Sequence, residues 1–588
     1  MVGSTLAIRS KMASPSAAMQ LSSLSRRSLS TRPQILRSAR PLRQQQFQRS
    51  ARRSYADAAP AAPTPKPKKR FRFLRWTWRL TWLSTIGAAG ALAYSVYELR
   101  HPVEQIKPDP TKKTLVILGS NLRVIPQSGT GWGTVSLLKK LDTENYNVVV
   151  ISPRNYFLFT PLLPSCTTGL IEHRSIMEPI RNILRQKTAH VNFYEAEATK
   201  VDYEKRVVYI SDDSEIKGDI SHTEVPFDML VVGVGAENAT FGIPGVRENS
   251  CFLKEVDDAQ KIRKRIMDCI ETAMFKDQTE DEVKRLLHMV VVGGGPTGVE
   301  FAGELQDFFE DDLKKWVPEI QENFKVTLVE ALPNVLPMFS KQLIDYTEST
   351  FKEEKISIRA KTMVKNVTDK YIEAMVTNPD GSKSIERIPY GLLVWATGNA
   401  VRPVVRDLMN QLPAQKDSRR GLAVNEYLVV NGAENVWAVG DCAITNYAPT
   451  AQVASQEGAF LARLFNTMAK TEAIEQELKQ LSDAQAQAKG EERDQVFDAI
   501  RERQKQLRRT KQIGPFQYSH QGSMAYIGKE RAVADISWLS GNIASGGTMT
   551  YLFWRSAYLS MCFSTRNRVL VAVDWIKAKL FGRDVSRE

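Results

Sequence analysis

The chain has 588 residues, of which 43% are hydrophobic and 25% are charged. This composition predicts a globular protein with two or three domain cores and excludes disorder throughout. The formal charge of +14 could suggest nucleic acid as a partner, but residues 1–79 hold 18 basic residues and one acid, Asp57. The rest of the chain has 62 basic and 65 acidic residues. It is slightly acidic, and we expect no nucleic-acid binding.

The first 79 residues have the composition of a targeting peptide followed by a linker. Residues 1–55 contain ten arginines, one lysine, many serines and no acid, which predicts a mitochondrial transit peptide. Residues 56–79 include the stretch APAAPTPKPKKR and read as a basic, proline-rich linker. The alternative for this region is an ordinary disordered basic tail.

Residues 80–97 carry no charged side chain and predict a transmembrane helix near the lower limit of length. Tryptophans precede or begin this stretch and tyrosines end it, as suits two membrane interfaces. A buried or interfacial helix is the alternative. If the helix stops import, its basic flank stays in the matrix and the catalytic domain faces the intermembrane space. The matrix side remains the alternative location.

The next elements predict a first dinucleotide-binding unit. Residues 114–119 form an apolar, β-branched run, the turn Gly129-Thr130-Gly131-Trp132-Gly133 precedes the helical pattern TVSLLKKL, and a second strand follows at 148–152. The signal is weak by itself, because Thr134 stands where the third glycine is expected. Ser152 also stands where an acidic ribose ligand often ends the second strand.

The second dinucleotide-binding unit has a much stronger signal. A strand at 288–292 leads into Gly293, Gly295 and Gly298, which fit GxGxxG, and an amphipathic helix follows. The next strand, 325–329, ends at Glu330. A carboxylate there can accept both ribose hydroxyls of NADH, whereas it would repel a 2′-phosphate, so we expect NADH to be preferred over NADPH.

Two later strands indicate which unit binds which cofactor. One, at 393–398, ends at Gly398, and another, at 435–439, is followed by Gly440 and Asp441. A chain that begins one nucleotide unit, inserts a second and then returns is organised like the two-dinucleotide flavoprotein reductases. We therefore expect an α/β fold of two Rossmann-like domains. The predicted boundaries are 111–283 and 399–466 for the FAD domain, 284–398 for the NADH domain, 467–512 for a charged helical insertion and 513–588 for a membrane-anchoring region.

Seven stretches of the chain resemble the mitochondrial type II NADH dehydrogenases, the alternative NADH:ubiquinone oxidoreductases, and in particular the fungal external type. They are SPRNYFLFTPLLPS, VVGVGAENATFGIPGV, VVVGGGPTGVEFAGEL, VEALPNVLPMF, WATGN, VGDCA and AQVASQEG. The resemblance implies non-proton-pumping oxidation of NADH, hydride transfer to non-covalent FAD, and then reduction of ubiquinone in the respiratory chain. Several of these stretches, notably FTPLLP and AQxAxQ, do not belong to flavoprotein reductases in general.

The resemblance also implies roles for single residues. The FAD site would comprise Gly129, Gly131, Gly133, Thr160, Pro161, Gly440 and Asp441, and the NADH site would comprise Gly293, Gly295, Gly298, Glu330 and Gly398. Glu300 would face the nicotinamide. Gln452 and Gln456, whose spacing places them on one helix face, would lie between the flavin and the quinone. No metal site is expected, because the five cysteines show neither CxxC nor zinc-like spacing.

The C-terminal region predicts the contact with the membrane. In VLVAVDWIKAKLFGR the apolar residues Val569, Val573, Ile576 and Leu580 recur at helical spacing, among basic residues and a tryptophan. We expect a helix on the surface of the inner mitochondrial membrane. A docked core helix or a homodimer contact is the alternative, and a homodimer is expected to coexist with membrane contact.

Two other flavoproteins are alternatives. Sulfide:quinone oxidoreductase relays electrons through paired cysteines, for which this chain has no recognisable partners, and a second NADH fingerprint has no use there. An apoptosis-inducing-factor-like flavoprotein that binds DNA would need a basic body, which this chain lacks.

Ten residues, SNLRVIPQSG, separate the first strand from its glycine turn. Removing either residues 120–129 or residues 119–128 restores LVILGTGWG, the pattern of the resembling family. If the insertion is real, it must loop out at small entropic cost while the turn docks on its strand, or it displaces Ile117 and weakens FAD binding. We favour a misplaced exon boundary or a retained short intron, because the turn must follow its strand directly.

Overall fold

The computed structural model describes residues 70–102, 104–119, 131–212, 214, 216–538 and 541–586. The chain divides into two units, residues 1–78 and 79–588. The transit peptide, most of the linker, Gly129 and the ten inserted residues lie outside the described part.

The segment predicted to span the membrane is helical. It lies within the helix Arg70–Arg100. Among the described residues, no helix is both long enough and apolar enough to cross a membrane. The structure therefore does not support the prediction of a transmembrane helix over residues 80–97. The stretch lacks charge, but it is rich in Gly, Ala, Ser and Thr, which contribute little to the free energy of transfer into lipid.

A parallel five-stranded sheet forms the first nucleotide unit. In spatial order its strands are Val436–Ala438, Met229–Val232, Thr114–Leu118, Asn147–Ser152 and Asn192–Glu195. Both faces of the sheet are covered, since Leu115 and Ile117 belong to one hydrophobic cluster while Val116 and Leu118 belong to another. This explains why the strands read as continuous apolar runs. The helices Trp132–Lys140 and Ala451–Gln487 pack against each other beside this unit.

A second parallel five-stranded sheet forms the inserted unit. In spatial order its strands are Cys251–Phe252, Leu392–Trp395, His288–Val292, Lys325–Val329 and Ser357–Arg359. The helix Pro296–Phe308 follows its central strand. The sheet's other face meets an antiparallel sheet of the strands Thr362–Val367, Tyr371–Thr377 and Lys383–Pro389, with which it shares one hydrophobic cluster.

Smaller sheets and helices complete the fold. A three-stranded antiparallel sheet consists of Glu197–Asp202, Val207–Ser211 and His222–Pro226, and three short strand pairs are Tyr156–Leu158 with Met177–Pro179, Glu237–Asn238 with Asn399–Ala400, and Leu422–Ala423 with Ala443–Ile444. The other α-helices before residue 450 are Leu163–Thr167, Ile180–Leu184, Val246–Asn249, Val256–Ala273, Glu280–Leu286, Lys314–Trp316, Lys341–Glu353 and Pro403–Gln411.

The predicted charged insertion continues an existing helix. Ala451–Gln487 is one helix of 37 residues, and Glu491–Thr510 returns along it. The returning helix buries none of its residues. Ion pairs join the two helices, with Arg503 Nε 2.8 Å from a Glu477 oxygen and Lys511 Nζ 2.7 Å from a Glu475 oxygen. This is the solvated helical hairpin that the composition favoured.

The C-terminal region contains a sheet and two helices. The sheet consists of Ser523–Tyr526, Ala532–Trp538 and Gly541–Gly547, and the helices are Thr548–Met561 and Thr565–Phe581. The four apolar residues of the predicted amphipathic helix are exposed, from 41% for Val569 to 69% for Leu580. Phe553 on the preceding helix is 48% exposed.

Candidate functional site

A cavity lies where residues of the two nucleotide units meet. From the first unit it is lined by Gly131, Thr160, Gly440 and Asp441, among others. From the inserted unit and the strand that leaves it, the cavity is lined by Thr297 and by residues 396–399. The sequence-predicted positions of both cofactors thus contribute to one cavity, at the carboxyl ends of parallel strands where α/β proteins bind ligands.

The described part of the first glycine turn brings two helices unusually close. Gly131 precedes the helix Trp132–Lys140. A Cβ atom on Gly133 would lie 2.9 Å from Val439 Cγ2, and one on Gly458 would lie 2.0 Å from the Gly133 carbonyl oxygen. Gly133, rather than position 134, therefore permits the close packing that the third glycine of the motif provides elsewhere. The buried Thr134 side chain fits beside it because Gly233 has no side chain: a Cβ atom on Gly233 would lie 2.5 Å from Thr134 Oγ1.

Thr160 and Pro161 stand in a short 3₁₀ helix, Thr160–Leu162. Thr160 Oγ1 accepts a hydrogen bond of 3.1 Å from the Trp132 indole, which ties this helix to the glycine turn. Thr160 lines the cavity, as do Leu163 and Pro164, whereas Pro161 is not among the lining residues.

Gly440 and Asp441 are held by a buried carboxyl group that the sequence did not reveal. Gly440 has a φ of 72°, and its N–H donates to Glu457 Oε2 at 2.6 Å. Burial, opposed in part by this hydrogen bond and helped by the neighbouring Asp441 charge, raises the pKa of Glu457 to about 7. Glu457 directly follows Gln456, so one helix fixes the Gly-Asp turn and carries the predicted quinone residues.

Two cationic side chains also line the cavity, and the sequence did not indicate either. Lys254 Nζ lies 3.9 Å from Asp441 Oδ2 and donates to Asn399 Oδ1 at 3.1 Å. Arg402 is 1% exposed and donates from Nη2 to the Ala236 carbonyl at 3.2 Å. Burial lowers the pKa of both groups. A buried arginine and a partly buried lysine beside a glycine turn suit the pyrophosphate of a dinucleotide, so the residues present fit FAD.

The second glycine turn has the geometry that its sequence predicted. Gly293 has a φ of 117°, and a Cβ atom there would lie 2.6 Å from the Ala396 carbonyl oxygen. A Cβ atom on Gly298 would lie 1.9 Å from the Gly293 carbonyl oxygen. Gly295 caps the helix Pro296–Phe308, whose first N–H groups are suited to a phosphate. Gly398, with a φ of 81°, lines the shared cavity.

Glu330 is positioned by the same turn. Its carboxylate accepts from the Gly294 N–H at 2.5 Å and from the Leu332 N–H at 2.7 Å. Two backbone donors fix the orientation of the carboxylate. Glu330 therefore stands as an oriented anion beside the phosphate turn, where a ribose would bind.

Glu300 is buried against the C-terminal region and is not among the residues that line the cavity. Its Oε1 accepts from the Tyr526 N–H at 3.1 Å. Burial, helped by the nearby Glu304 charge and opposed by the Tyr526 hydrogen bond, raises the pKa of Glu300 to about 8. Glu304 accepts from Ser165 Oγ at 2.7 Å, and Arg583 Nη2 lies 3.6 Å away.

Asp307 continues this row of buried carboxyl groups along the helix. It accepts from the Tyr526 hydroxyl and, at 2.8 Å, from the Lys529 N–H. Burial raises the pKa of Asp307 to about 7. The sequence spacing of 300, 304 and 307 places all three on one helix face, which is the only signal that could have indicated the row. Their shared burial depends on C-terminal elements that are distant in sequence.

Gln452 and Gln456 lie on one face of the helix Ala451–Gln487, and both bond to residues 519–522. Gln452 Nε2 donates to the Gly522 carbonyl at 2.9 Å, and Gln456 Nε2 donates to the Ser519 carbonyl at 2.8 Å. The Ser519 N–H donates back to Gln456 Oε1 at 2.9 Å. Neither glutamine is among the residues lining the cavity, but Thr450, Ala451 and Ala454 of the same helix end are.

Comparison with known proteins agrees with this geometry. A family model described as pyridine nucleotide-disulphide oxidoreductase matches residues 128–458, and one described as NDH2 C-terminal domain matches residues 520–584. The external alternative NADH-ubiquinone oxidoreductase of Yarrowia lipolytica is 61% identical, covering 89% of this chain and 90% of that protein. External NADH-ubiquinone oxidoreductase 2 of Saccharomyces cerevisiae is 44% identical, with 87% and 91% covered.

Solved structures show the same fold. The structure of NDH2 from Plasmodium falciparum in complex with NADH has a TM-score of 0.67 and 27% identity, covering 81% of this chain and all of that chain. The sulfide:quinone oxidoreductase of Aquifex aeolicus has a TM-score of 0.53 and 16% identity, covering 80% of this chain and 96% of that chain. This second likeness concerns the fold alone.

Fold and cavity together define a two-dinucleotide flavoprotein of the pyridine nucleotide-disulphide oxidoreductase class. Within that class, the chain belongs to the family of the external mitochondrial NADH-ubiquinone oxidoreductases of yeasts and plants.

Proposed function

We propose that this chain oxidises NADH and reduces ubiquinone through bound FAD, in the mitochondrial respiratory chain and without proton pumping. The observation that carries the proposal is the shared cavity, in which the FAD positions Gly131, Gly440 and Asp441 meet Thr297 and Gly398 of the NADH unit. A reductase of this kind must bring its two nucleotides together. The names of the relatives with 61% and 44% identity agree with this substrate pair.

The residue roles proposed for the FAD site follow from position. The glycine turn, with Gly131, Gly133 and the undescribed Gly129, would hold the pyrophosphate, with Thr160 and Pro161 beside the flavin. Gly440 and Asp441 would hold the ribityl chain, and we add Lys254 and Arg402 as cations facing the dinucleotide. When bound, FAD supplies the two-electron chemistry, while the protein supplies position and charge.

The proposed NADH and quinone sites lie on either side. Gly293, Gly295 and Gly298 would hold the NADH pyrophosphate, Glu330 the adenosine ribose and Gly398 the nicotinamide end. Glu300 would face the nicotinamide region, where its raised pKa keeps it protonated at neutral pH. Gln452 and Gln456 would border the quinone site.

We further propose that the C-terminal helices contact the inner membrane and deliver quinone to the site. The exposed apolar residues Phe553, Val573, Ile576 and Leu580 support this, together with the neighbouring Lys577 and Lys579. We also propose that the chain forms a homodimer and that this contact coexists with membrane contact. We propose that the catalytic domain faces the intermembrane space, which agrees with the word external in the relatives' names.

The proposed function is tested on the purified chain by following flavin absorbance without oxygen. We expect one FAD per chain, bleached by NADH and restored by a soluble ubiquinone analogue. A folded protein without FAD, or one that bleaches and is not restored by quinone, would contradict the proposal. Oxidation of added NADH by intact mitochondria would distinguish the intermembrane-space face from the matrix face, since the inner membrane excludes NADH.

A further inference from the structure

The connecting segment 513–522, between the helical hairpin and the C-terminal sheet, holds the two glutamines at the predicted quinone site. Besides its backbone bonds to both glutamines, it contributes the side chain of Tyr518. The Tyr518 hydroxyl donates to Gln452 Oε1 at 3.0 Å. The Tyr518 ring packs against Tyr447, with 5.4 Å between centroids. Gln452 is the second residue of its helix, next to the Thr450 and Ala451 that line the flavin cavity.

His520 extends this contact to the solvent. Its side chain is exposed, and its Nδ1 lies 3.1 Å from the Tyr518 hydroxyl oxygen. The two rings meet at an angle of 63°, with centroids 6.0 Å apart. His520 therefore contacts Tyr518 through both its ring nitrogen and its ring. Two hydrogen bonds therefore join an exposed imidazole to the first turn of the helix that borders the flavin cavity.

The overall reaction requires a proton from solvent. A quinone becomes a quinol by gaining two electrons and two protons, one on each oxygen. Oxidation of one NADH supplies two electrons and one hydrogen nucleus, in the form of hydride. The balance NADH + H⁺ + quinone → NAD⁺ + quinol therefore needs one further proton. A buried site must receive this proton through side chains or water.

We propose that Tyr518 gives this proton to the quinone oxygen and that His520 restores it from solvent. This inference rests on the proposed function and concerns the quinone-reducing step of the same site. In the proton transfer, the Tyr518 hydroxyl first turns its hydrogen from Gln452 Oε1 to the quinone oxygen, and its O–H bond then breaks as the quinol O–H bond forms. A proton held on His520 Nδ1 then passes to the tyrosine oxygen, and the imidazole is reprotonated from water. Gln452 orients the Tyr518 hydroxyl.

Both residue types suit these tasks. Imidazole exchanges protons readily near neutral pH, and a hydroxyl can donate one hydrogen bond while accepting another. Burial raises the pKa of Tyr518, which keeps the phenol protonated until a stronger base is formed beside it. Gln452 has no exchangeable charge, so it is a positioning residue and not the proton donor.

The test separates the two halves of the reaction by rapid mixing of the FAD-loaded enzyme. The variants are Tyr518→Phe, which keeps the ring beside Tyr447, and His520→Gly, which leaves room for added imidazole. The matched control is His190→Gln, since His190 is also exposed and its Nδ1 lies 3.2 Å from Gln105 Oε1, away from the site. FAD content and the bound fraction of a non-reducible quinone analogue, read from flavin absorbance, report on the integrity of the site.

We expect NADH to bleach the flavin at the wild-type rate in all variants. Reoxidation by a soluble quinone should slow by about 100-fold in Tyr518→Phe and about tenfold in His520→Gly, in line with general acid catalysis. Added imidazole should restore His520→Gly but not Tyr518→Phe, and a solvent deuterium isotope effect should accompany the slow step. The control should match the wild type in both halves.

Other outcomes overturn the relay. Unchanged reoxidation in both variants would show that another group supplies the proton. Slower reoxidation without imidazole rescue, together with weaker binding of the quinone analogue, would show that the two residues only support the site's structure. If quinone fails to reoxidise the wild-type enzyme after NADH has bleached it, the proposed function itself fails, and the relay fails with it.

Discussion

Replacing Gly458 by alanine tests whether the flavin site depends on close contact between two helices. Gly458 is inside the helix Ala451–Gln487 and is buried against the FAD turn. An added Cβ would lie 2.0 Å from the Gly133 carbonyl oxygen and 3.0 Å from the Leu137 nitrogen. Because both are backbone atoms, the helices must separate by about 1.4 Å to restore an ordinary contact, and such overpacking costs about 1–3 kcal/mol.

The expected change in stability has the opposite sign to that of the same substitution in an unconstrained helix. In an unconstrained helix the same substitution would stabilise the protein by about 0.5–1 kcal/mol. We expect Gly458→Ala to lower the melting temperature and, if the whole cost falls on the bound state, to weaken FAD binding by roughly 5- to 150-fold. The matched control is Gly90→Ala in the helix Arg70–Arg100, where an added Cβ meets no atom within 4 Å. FAD affinity is measured by flavin fluorescence after reconstitution, and stability by thermal unfolding. A Gly458→Ala protein with unchanged FAD affinity and unchanged stability would refute the packing argument.

Three further predictions concern the NADH unit and the inserted residues. Glu330→Gln should raise the ratio of kcat/KM for NADPH to kcat/KM for NADH. It should also raise KM for NADH, because an amide cannot accept both backbone N–H groups. An unchanged ratio would remove Glu330 from the ribose role. In the wild type the pKa of Glu300 is about 8. Between the ordinary pKa of glutamate and this value, the folded state therefore binds more protons than the unfolded state. The stability of the wild type then falls as pH rises through this range. Glu300→Gln should therefore gain stability relative to the wild type between about pH 5 and about pH 9 in urea unfolding, whereas a constant difference would contradict the burial argument. Tryptic mass mapping of the native protein should find TLVILGTGWGTVSLLK, and detection of TLVILGSNLR would show instead that the inserted residues are present.

The parallel strands were predictable because they are buried on both faces and carry uninterrupted apolar runs. His288–Val292 and Lys325–Val329 lie where the sequence placed them. Thr114–Leu118 and Val436–Ala438 differ from their predictions only at the ends. Gly293 and Gly298 were predictable for a related reason, since close backbone approach admits no other residue there.

The structure does not support the predicted transmembrane helix, because a charge-free stretch near the minimum length can still be too weakly apolar to cross a membrane. Transfer free energy depends on the side chains that are present, and Gly, Ala, Ser and Thr contribute little. For the charged insertion, the boundary expected from composition differs from the boundary of the helix. Its boundary at residue 467 marks a change in composition but no break in structure, because the helix that begins at Ala451 continues to Gln487.

The buried polar partners of the site could not be read from the sequence. Lys254 and Arg402 come from segments that flank the inserted unit, and they meet at the cavity only after both sheets have formed. Glu304 and Asp307 look like the polar side of an amphipathic helix, but the C-terminal sheet covers them and raises the pKa of Asp307 to about 7. Local periodicity shows which residues share a face. It does not show which later segment will cover that face.

The stretch AQVASQEG explains how one helix start serves several parts of the site. Successive helical residues are about 100° apart, so neighbours point to different elements. Ala451 and Ala454 line the cavity, Gln452 and Gln456 bond to the connecting segment, and Glu457 holds Gly440, as described above. The residue that follows, Gly458, lies against Gly133. A rotation or shift of this helix would therefore disturb the FAD turn, the Gly-Asp turn and the Tyr518–Gln452 contact together. It follows that Gly458→Ala should also slow quinone-dependent reoxidation in whatever fraction of the enzyme retains FAD.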